Sequence, residues 1–156
     1  MAEPQSNGVV KLLLVAAAAG EPMELRAEVQ LMPGLGIPND RYATGTGHWS
    51  DPRWPDQELT LVEAELAEEL SLDPTLLRRN IVTRGVRLDD LLGKEFMVGS
   101  ALLRGIRRCD PCRYLESMTR SGLFDELRGR GGLRARVIEG GTITVGDPIQ
   151  SAQVLP

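Results

Sequence analysis

Short apolar runs, each interrupted by glycine or proline, are the feature that most restricts the fold of this chain. Its 156 residues include 17 Gly and 10 Pro, which favour turns over long helices. The runs predicted to be short strands are 9–15, 25–31, 81–83, 96–98, 102–106, 133–139, 142–145 and 149–154. Gly99–Ser100 and Gly140–Gly141 separate consecutive strands and predict two hairpins. This pattern predicts a β-rich α+β fold, a mostly antiparallel barrel with short inserted helices, rather than an alternating βαβ fold.

The predicted helices are short and lie between the strands. Thr60 and Glu63 have the spacing of a capping box, which predicts a helix beginning there. Asp73 is a suitable N-cap, and Pro74 a suitable first residue, for a second helix. Two more short helices are predicted at 111–118 and 123–127. Residues 33–58 contain several Gly and Pro without a periodic pattern, and they predict a long loop of the kind that often carries function.

Length and composition restrict the class of protein. A chain of 156 residues fits one domain, and we expect residues 9–156 to form it after a disordered stretch at 1–8. No apolar run approaches the roughly 20 residues that span a bilayer, so no membrane partner is expected. Two cysteines are fewer than a secreted disulfide scaffold normally carries. We therefore expect a reducing compartment, the cytoplasm.

The charge of the chain is unevenly distributed. The net charge is −4 at pH 7, which argues against a nucleic-acid partner. Residues 1–77 have 4 basic and 13 acidic side chains, whereas residues 78–156 have 14 basic and 9 acidic ones. Of the 18 basic residues, 16 are Arg, whose planar fork suits bidentate contacts with phosphate or carboxylate. The distribution indicates an anion site in the C-terminal half, and ordinary surface charge is the alternative interpretation.

A reactive cysteine is predicted in the segment 107–113, which reads Arg-Arg-Cys-Asp-Pro-Cys-Arg. Asp110 is a suitable N-cap and Pro111 a suitable first helical residue, which would place Cys112 in the first turn of a helix. Free N–H groups and the helix dipole stabilise a thiolate at that place. Cys112 is therefore predicted to be the more reactive thiol and a ligand for a soft or high-valent metal.

Three alternatives remain for the two cysteines. They could form half of a zinc site, although such a site needs about four ligands and His48 is the only histidine. They could also form a thioredoxin-like redox pair, in which Cys109 is the partner of Cys112. Finally, both could be inert residues of the core.

Three further segments have features of an anion site. Arg78 and Asn80 come immediately before a predicted strand, so their side chains point the same way if the chain is already extended there. An Arg fork and an Asn amide on one face can hold a phosphate or another polar group, and a solvated turn is the alternative. The glycines of Gly129–Gly132 permit close backbone approach and expose N–H groups to an anion, and a flexible connector is the alternative. Asp40 and Arg41 lie in a turn-rich loop.

The order of these blocks resembles the MOSC domain family, which is named after the C-terminal domain of molybdenum cofactor sulfurases. The blocks that carry the resemblance are Gly36…Asp40-Arg41, Arg78 to Gly85, Leu92-Gly93…Phe96…Val98-Gly99, Pro111-Cys112, Gly129 to Val137 and Gly140-Gly141…Val145-Gly146-Asp147. They extend over about residues 9 to 150, nearly the whole chain. The resemblance implies the barrel-like fold of this family and binding of the molybdenum cofactor (molybdopterin), or handling of sulfur destined for it.

The resemblance also implies roles for individual residues. Cys112 would be the sulfur carrier or the molybdenum ligand. Arg78 and Asn80 would hold the cofactor, with Asp110 in the same site. The other residues expected around the cofactor and the substrate mouth are Arg130, Gly131, Gly132, Asp40, Arg41 and His48. As the only histidine, His48 is a candidate proton donor, and an ordinary solvent-facing loop residue is the alternative interpretation.

Three functions are consistent with these residues. The favoured one is a small molybdoenzyme that performs two-electron oxygen transfer, or reduces an N-hydroxylated or related small molecule, with an external reductase. The second is a metal-free sulfur carrier or C–S bond-processing domain, in which Cys112 takes a persulfide from a sulfur donor protein and Cys109 resolves it. The third is a cofactor-binding module without turnover.

Overall fold

The computed structural model describes residues 8–18, 20–44, 58–109, 119, 121–123 and 132–151. In these residues the strands are β1 (Val9–Val15), β2 (Glu24–Arg26), β3 (Glu28–Leu31), β4 (Leu59–Glu63), β5 (Ile81–Arg84), β6 (Glu95–Val98), β7 (Ala101–Arg108), β8 (Leu133–Glu139), β9 (Gly141–Thr144) and β10 (Ile149–Ser151). The helices are α1 (Arg41–Thr44), α2 (Ala64–Glu69) and the 3₁₀ turns Pro74–Leu77 and Leu88–Leu91. None of the helices in this part of the chain is long and apolar enough to cross a membrane.

Eight strands form one mixed sheet in the order β10-β6-β7-β8-β4-β5-β1-β2, and β3 pairs with β9 in a second sheet. The pair β4–β5 is parallel, and the other strand pairs in the described residues are antiparallel. The prediction of a β-rich, mostly antiparallel fold with short helices is therefore confirmed.

The central strands are buried on both faces of the sheet. Alternate side chains of a strand point to opposite faces, so Leu13 and Ile81 belong to one apolar cluster, whereas Leu14 and Val82 belong to another. Strands covered on both faces read as near-continuous apolar runs, which is the pattern of β1 and β4. This double coverage removes water from the backbone groups where β1, β4 and β5 meet.

Several predicted elements are confirmed. The hairpin of β6 and β7 turns through Gly99, whose φ of 55° is one that glycine adopts readily. The side chain of Asp73 accepts a hydrogen bond from the Thr75 N–H at 2.9 Å and begins the first 3₁₀ turn. Gly8, in contrast, was expected to belong to the disordered stretch 1–8 but is part of the fold, because its carbonyl accepts a hydrogen bond from the Ile149 N–H at 2.8 Å. The helices predicted at 111–118 and 123–127 lie outside the described residues, apart from Leu123.

The hairpin predicted through Gly140–Gly141 is wrong. β8 pairs with β7 and β4, whereas β9 pairs with β3. Neither glycine has the positive φ that the preferred two-residue hairpin turn requires. Instead the chain passes close to other strands: a Cβ at residue 140 would lie 2.5 Å from the Leu31 carbonyl oxygen, and one at residue 141 would lie 2.8 Å from the Ser100 hydroxyl.

Two further local predictions are corrected by tertiary pairing. Residues 59–63 form β4, and the helix begins only at Ala64 without a side-chain cap from Glu63. The predicted strand at 25–31 is divided at Ala27, because β2 pairs with β1 whereas β3 pairs with β9. In both cases the local pattern was ambiguous, and pairing with strands distant in sequence determined the secondary structure.

Candidate functional site

Asn80 joins three strands immediately before β5. Its backbone N–H donates to the Thr60 carbonyl at 3.0 Å, and its side-chain Oδ1 accepts from the Thr60 N–H at 3.1 Å. Its backbone carbonyl accepts from the Leu14 N–H at 2.8 Å, and its Nδ2 donates to the Leu14 carbonyl at 3.1 Å. The side chain is fully buried. The amide of Asn80 therefore acts as an additional peptide group that extends strand pairing on both sides.

Asp40 and Arg41 link the end of β1 to the turn before β5. Both are buried, with exposed fractions of 0% and 4%. Asp40 Oδ1 accepts from the Ala16 N–H at 3.0 Å and from Arg41 Nη1 at 3.2 Å. Arg41 Nη2 donates to the Arg78 carbonyl at 2.8 Å. The carboxylate thus has a positive partner in the interior, and that partner also contacts the candidate anion-binding turn.

The turn itself consists of Arg78 and Arg79. Arg78 has φ 58° and ψ 42°, in the left-handed region, so the chain is not extended there and the condition for a shared direction with Asn80 is not met. Its Nη1 donates to the Glu21 carbonyl at 2.7 Å. Both arginines are 8% exposed, which places two guanidinium groups close to the protein interior.

Gly132 and Cys109 lie beside this turn. The Cys109 N–H donates to the Gly132 carbonyl at 2.8 Å. Gly132 has φ 116°, and a Cβ there would lie 2.1 Å from the Leu61 carbonyl oxygen and 3.6 Å from Arg79 Nε. Only glycine fits this close approach. The end of β7, the start of β8 and the Arg79 side chain therefore meet at one place.

A cavity of about 250 Å³ borders Gly132. Half of its described lining residues are acidic, and the lining includes Glu63, Glu65, Leu66, Glu69, Arg87, Leu88 and Asp89. The pKa of Glu63 is raised above its ordinary value of 4.5 chiefly because burial removes water from the carboxylate, while the Leu88 N–H hydrogen bond acts in the opposite direction. Within the described ranges, no group of three or more His, Cys, Asp or Glu side chains could hold a metal ion.

The structure connects many of the residues that the sequence indicated. Asp40, Arg41 and Arg78 are linked by hydrogen bonds, and Asn80 follows two residues later in the chain and binds β1 and β4. Arg79 Nε lies close to Gly132, whose carbonyl accepts from the Cys109 N–H. The predicted site residues outside the described ranges are His48, Asp110, Cys112, Arg130 and Gly131. Sequence reasoning missed Thr60 as the partner of Asn80, since Thr60 also fitted a helix cap and only the β4–β5 pairing distinguishes the two.

These features define a mixed-sheet β protein with buried polar side chains gathered where β1, β4 and β5 meet. A model of the MOSC domain matches residues 54–150, more than half of the chain. The chain therefore belongs to the MOSC domain family, which is associated with binding of the molybdenum cofactor. A comparison with curated proteins gives no sequence match.

Solved structures of similar fold include the YuaD protein from Bacillus subtilis, at 20% identity and a TM-score of 0.75, covering 94% of this chain and 97% of that one. YiiM from Geobacillus stearothermophilus matches at 16% identity and a TM-score of 0.66, covering 94% and 75% of the two chains. YiiM from Escherichia coli matches at 20% identity and a TM-score of 0.63, covering 92% and 71%. At these identities the likeness concerns the fold alone.

Proposed function

We propose that this chain binds the molybdenum cofactor at the Arg78–Arg79 turn and works as a small molybdoenzyme. Its reaction would be the two-electron reduction of an N-hydroxylated or related small molecule by oxygen transfer from it: the N–O bond breaks, the oxygen leaves as water with two protons, and an external reductase supplies the two electrons. One observation carries the proposal beyond family membership. A turn with two arginines, held by buried hydrogen bonds, lies directly beside Gly132 and Cys109.

The chemistry of this donor set fits an anionic cofactor. Guanidinium groups bind phosphate oxygens through paired, charge-assisted hydrogen bonds, and these become stronger where water is excluded. The buried carboxylate of Asp40 does not oppose an anion by itself, because Arg41 pairs with it at 3.2 Å. Arg130, Gly131 and Gly132 are proposed to contribute to the same anion site, and Asp110 to border it.

Cys112 is the proposed thiolate ligand, and it lies outside the described residues. Three residues of chain span at most roughly 11 Å, so its distance from Cys109 is limited by covalent geometry. When bound, the cofactor would supply the two-electron redox chemistry. The protein would bind and orient it, and His48 is the proposed proton donor at the substrate mouth.

The burial of Cys109 favours this proposal over a sulfur carrier. A resolving thiol must reach the sulfur that it attacks, whereas Cys109 is only 2% exposed. Its N–H is also bound to Gly132 at 2.8 Å. Attack by Cys109 on a persulfide presented from solvent by a donor protein would therefore require the segment after β7 to move.

Closure of the sheet into a barrel, a single domain and a cytoplasmic location are also proposed. Backbone hydrogen bonds join Val10 to Asp147 at 2.9 Å and Ile149 to Gly8 at 2.8 Å, and they support closure of the eight-stranded sheet into a barrel between β1 and β10. We propose that residues 9–156 act as one domain. The cytoplasm is the proposed location, because two cysteines are fewer than a secreted disulfide scaffold normally carries.

The test is molybdenum and pterin analysis of the chain purified from cells that make the cofactor. We expect about one molybdenum and one pterin per chain, molybdenum loss in Cys112→Ala, and a lower pterin content in Arg79→Gln because its affinity for the cofactor is weakened. Arg84→Gln is the matched control, because Arg84 is exposed at the far end of β5. A metal-free wild-type chain whose Cys112 accepts persulfide would overturn the proposal in favour of a sulfur carrier. Full cofactor content without turnover of any N-hydroxylated compound would leave only a binding module.

A further inference from the structure

We infer that Asp40, Arg41 and Asn80 do not contact the cofactor but are positioning residues that lock the Arg78–Arg79 turn in its binding conformation. The inference rests on the proposed function, since it assigns the anion contact to that turn. The residues that the sequence pattern placed together around the cofactor therefore have two different roles. Three of them support the site from within the protein, and the two arginines of the turn, each 8% exposed, would contact the ligand.

The two arms of the Arg41 guanidinium bind different partners. One arm donates to Asp40 Oδ1 at 3.2 Å, and the other donates to the Arg78 carbonyl at 2.8 Å. Asp40 in turn accepts from the Ala16 N–H at 3.0 Å. The pair therefore ties the backbone at the end of β1 to the backbone of the turn. Its charges neutralise each other inside the protein.

The contact with Arg41 stabilises an unfavourable backbone conformation at Arg78. Arg78 is in the left-handed region at φ 58°, where a residue with a Cβ is disfavoured. Such a conformation persists only where its surroundings hold it. Arg41 donates a hydrogen bond to the carbonyl of this same residue. This bond therefore opposes relaxation of the Arg78 backbone to a more favourable conformation.

Asn80 fixes the other side of the turn. Asn80 binds Thr60 and Leu14 through both its backbone and its side chain. Arg79 is therefore held between a fixed carbonyl before it and a fixed residue after it. The Arg79 side chain approaches Gly132, and its Nε lies 3.6 Å from where a Cβ on that glycine would be.

The experiment compares Arg41→Lys with Arg26→Lys. Lysine keeps the charge beside Asp40 but cannot reproduce the two-armed fork. Arg26 is a matched control, because it also binds one carboxylate, that of Glu24, and one backbone carbonyl, that of Leu25, but on the exposed strand β2. Asp40→Asn is the second variant if Arg41→Lys does not fold, because an amide oxygen can still accept from the Ala16 N–H.

Two readouts decide the inference. Amide hydrogen exchange of cofactor-free protein should rise by roughly tenfold or more at Asn80 in Arg41→Lys and stay unchanged in Arg26→Lys. The dissociation constant for molybdopterin released from a purified molybdoenzyme should also rise in Arg41→Lys. In an Arg79→Gln background, Arg41→Lys should have little further effect on that constant, since it acts through the same turn.

The outcomes separate this inference from the proposed function. Unchanged exchange at Asn80 would overturn the locking role. Independent, additive losses of affinity from Arg41→Lys and Arg79→Gln would also overturn it and would indicate direct cofactor contact by Arg41. Failure of the wild-type chain to bind molybdopterin, together with faster exchange in Arg41→Lys, would refute the proposed function and leave the lock as a purely structural element.

Discussion

Replacing Asn80 with alanine removes two hydrogen bonds to backbone groups that have no access to water. Oδ1 of this fully buried residue accepts from the Thr60 N–H, and Nδ2 donates to the Leu14 carbonyl. A buried polar group left without a partner costs about 1–3 kcal/mol. For two such groups, we expect the free energy of unfolding to fall by about 2–6 kcal/mol. That is a large part of the roughly 5–15 kcal/mol that stabilises an ordinary domain.

The control for this prediction is Thr60→Val. The Thr60 hydroxyl donates to Asn80 Oδ1 at 3.3 Å and accepts from the Asn80 N–H at 3.2 Å. Its removal leaves the backbone groups of both residues paired, so the expected cost is only about 0.5–1.5 kcal/mol. Urea unfolding followed by far-ultraviolet circular dichroism measures both variants, provided that their m-values agree. If Asn80→Ala costs no more than Thr60→Val, the strand-joining role of this amide is refuted.

Three further predictions concern the neighbourhood of the site. Gly132→Ala should lower the free energy of unfolding by about 1–3 kcal/mol through its backbone conformation alone, and by more because the added Cβ clashes with a β4 carbonyl. Gly93→Ala, with φ 73° and open space around it, should show only the backbone cost. Equal shifts of the two melting temperatures would contradict this. The pKa of Glu63 is raised in the folded state, so its contribution to stability is present below pH 4.5 and is lost as the pH rises through the raised pKa. Glu63→Gln should remove that decline in a pH series of melting temperatures, and an unaltered series would count against it. Buried Cys109 should react with a thiol reagent roughly a hundredfold more slowly than Cys112, measured on the two single Cys→Ala variants, and similar rates would contradict the assignment.

The sequence alone was sufficient for the positions of most described strands. Periodic apolar residues and adjacent glycines are local signals, and they correctly indicated β1, β5 and the β6–β7 hairpin. The same signals predicted the wrong partner for β9. Gly140–Gly141 has the composition of a hairpin turn, but it lies where the chain crosses from one sheet to the other. A local pattern does not contain the long-range pairing with β3.

For the candidate site, the sequence determines the type of each residue, whereas the tertiary structure determines which partner that residue binds. The amino-acid sequence determined which polar residues were available, and its pattern grouped Asp40, Arg41, Arg78 and Asn80 as candidate site residues. The structure shows that all four are buried, and their role in binding a cofactor stays a prediction. Only the tertiary structure decided that Asn80 faces inward between β1 and β4, and that Arg41 binds a backbone carbonyl. The physical reason is that burial depends on strands brought together from distant parts of the chain. Once water is excluded, each of these polar groups must bind the partner that the fold places beside it.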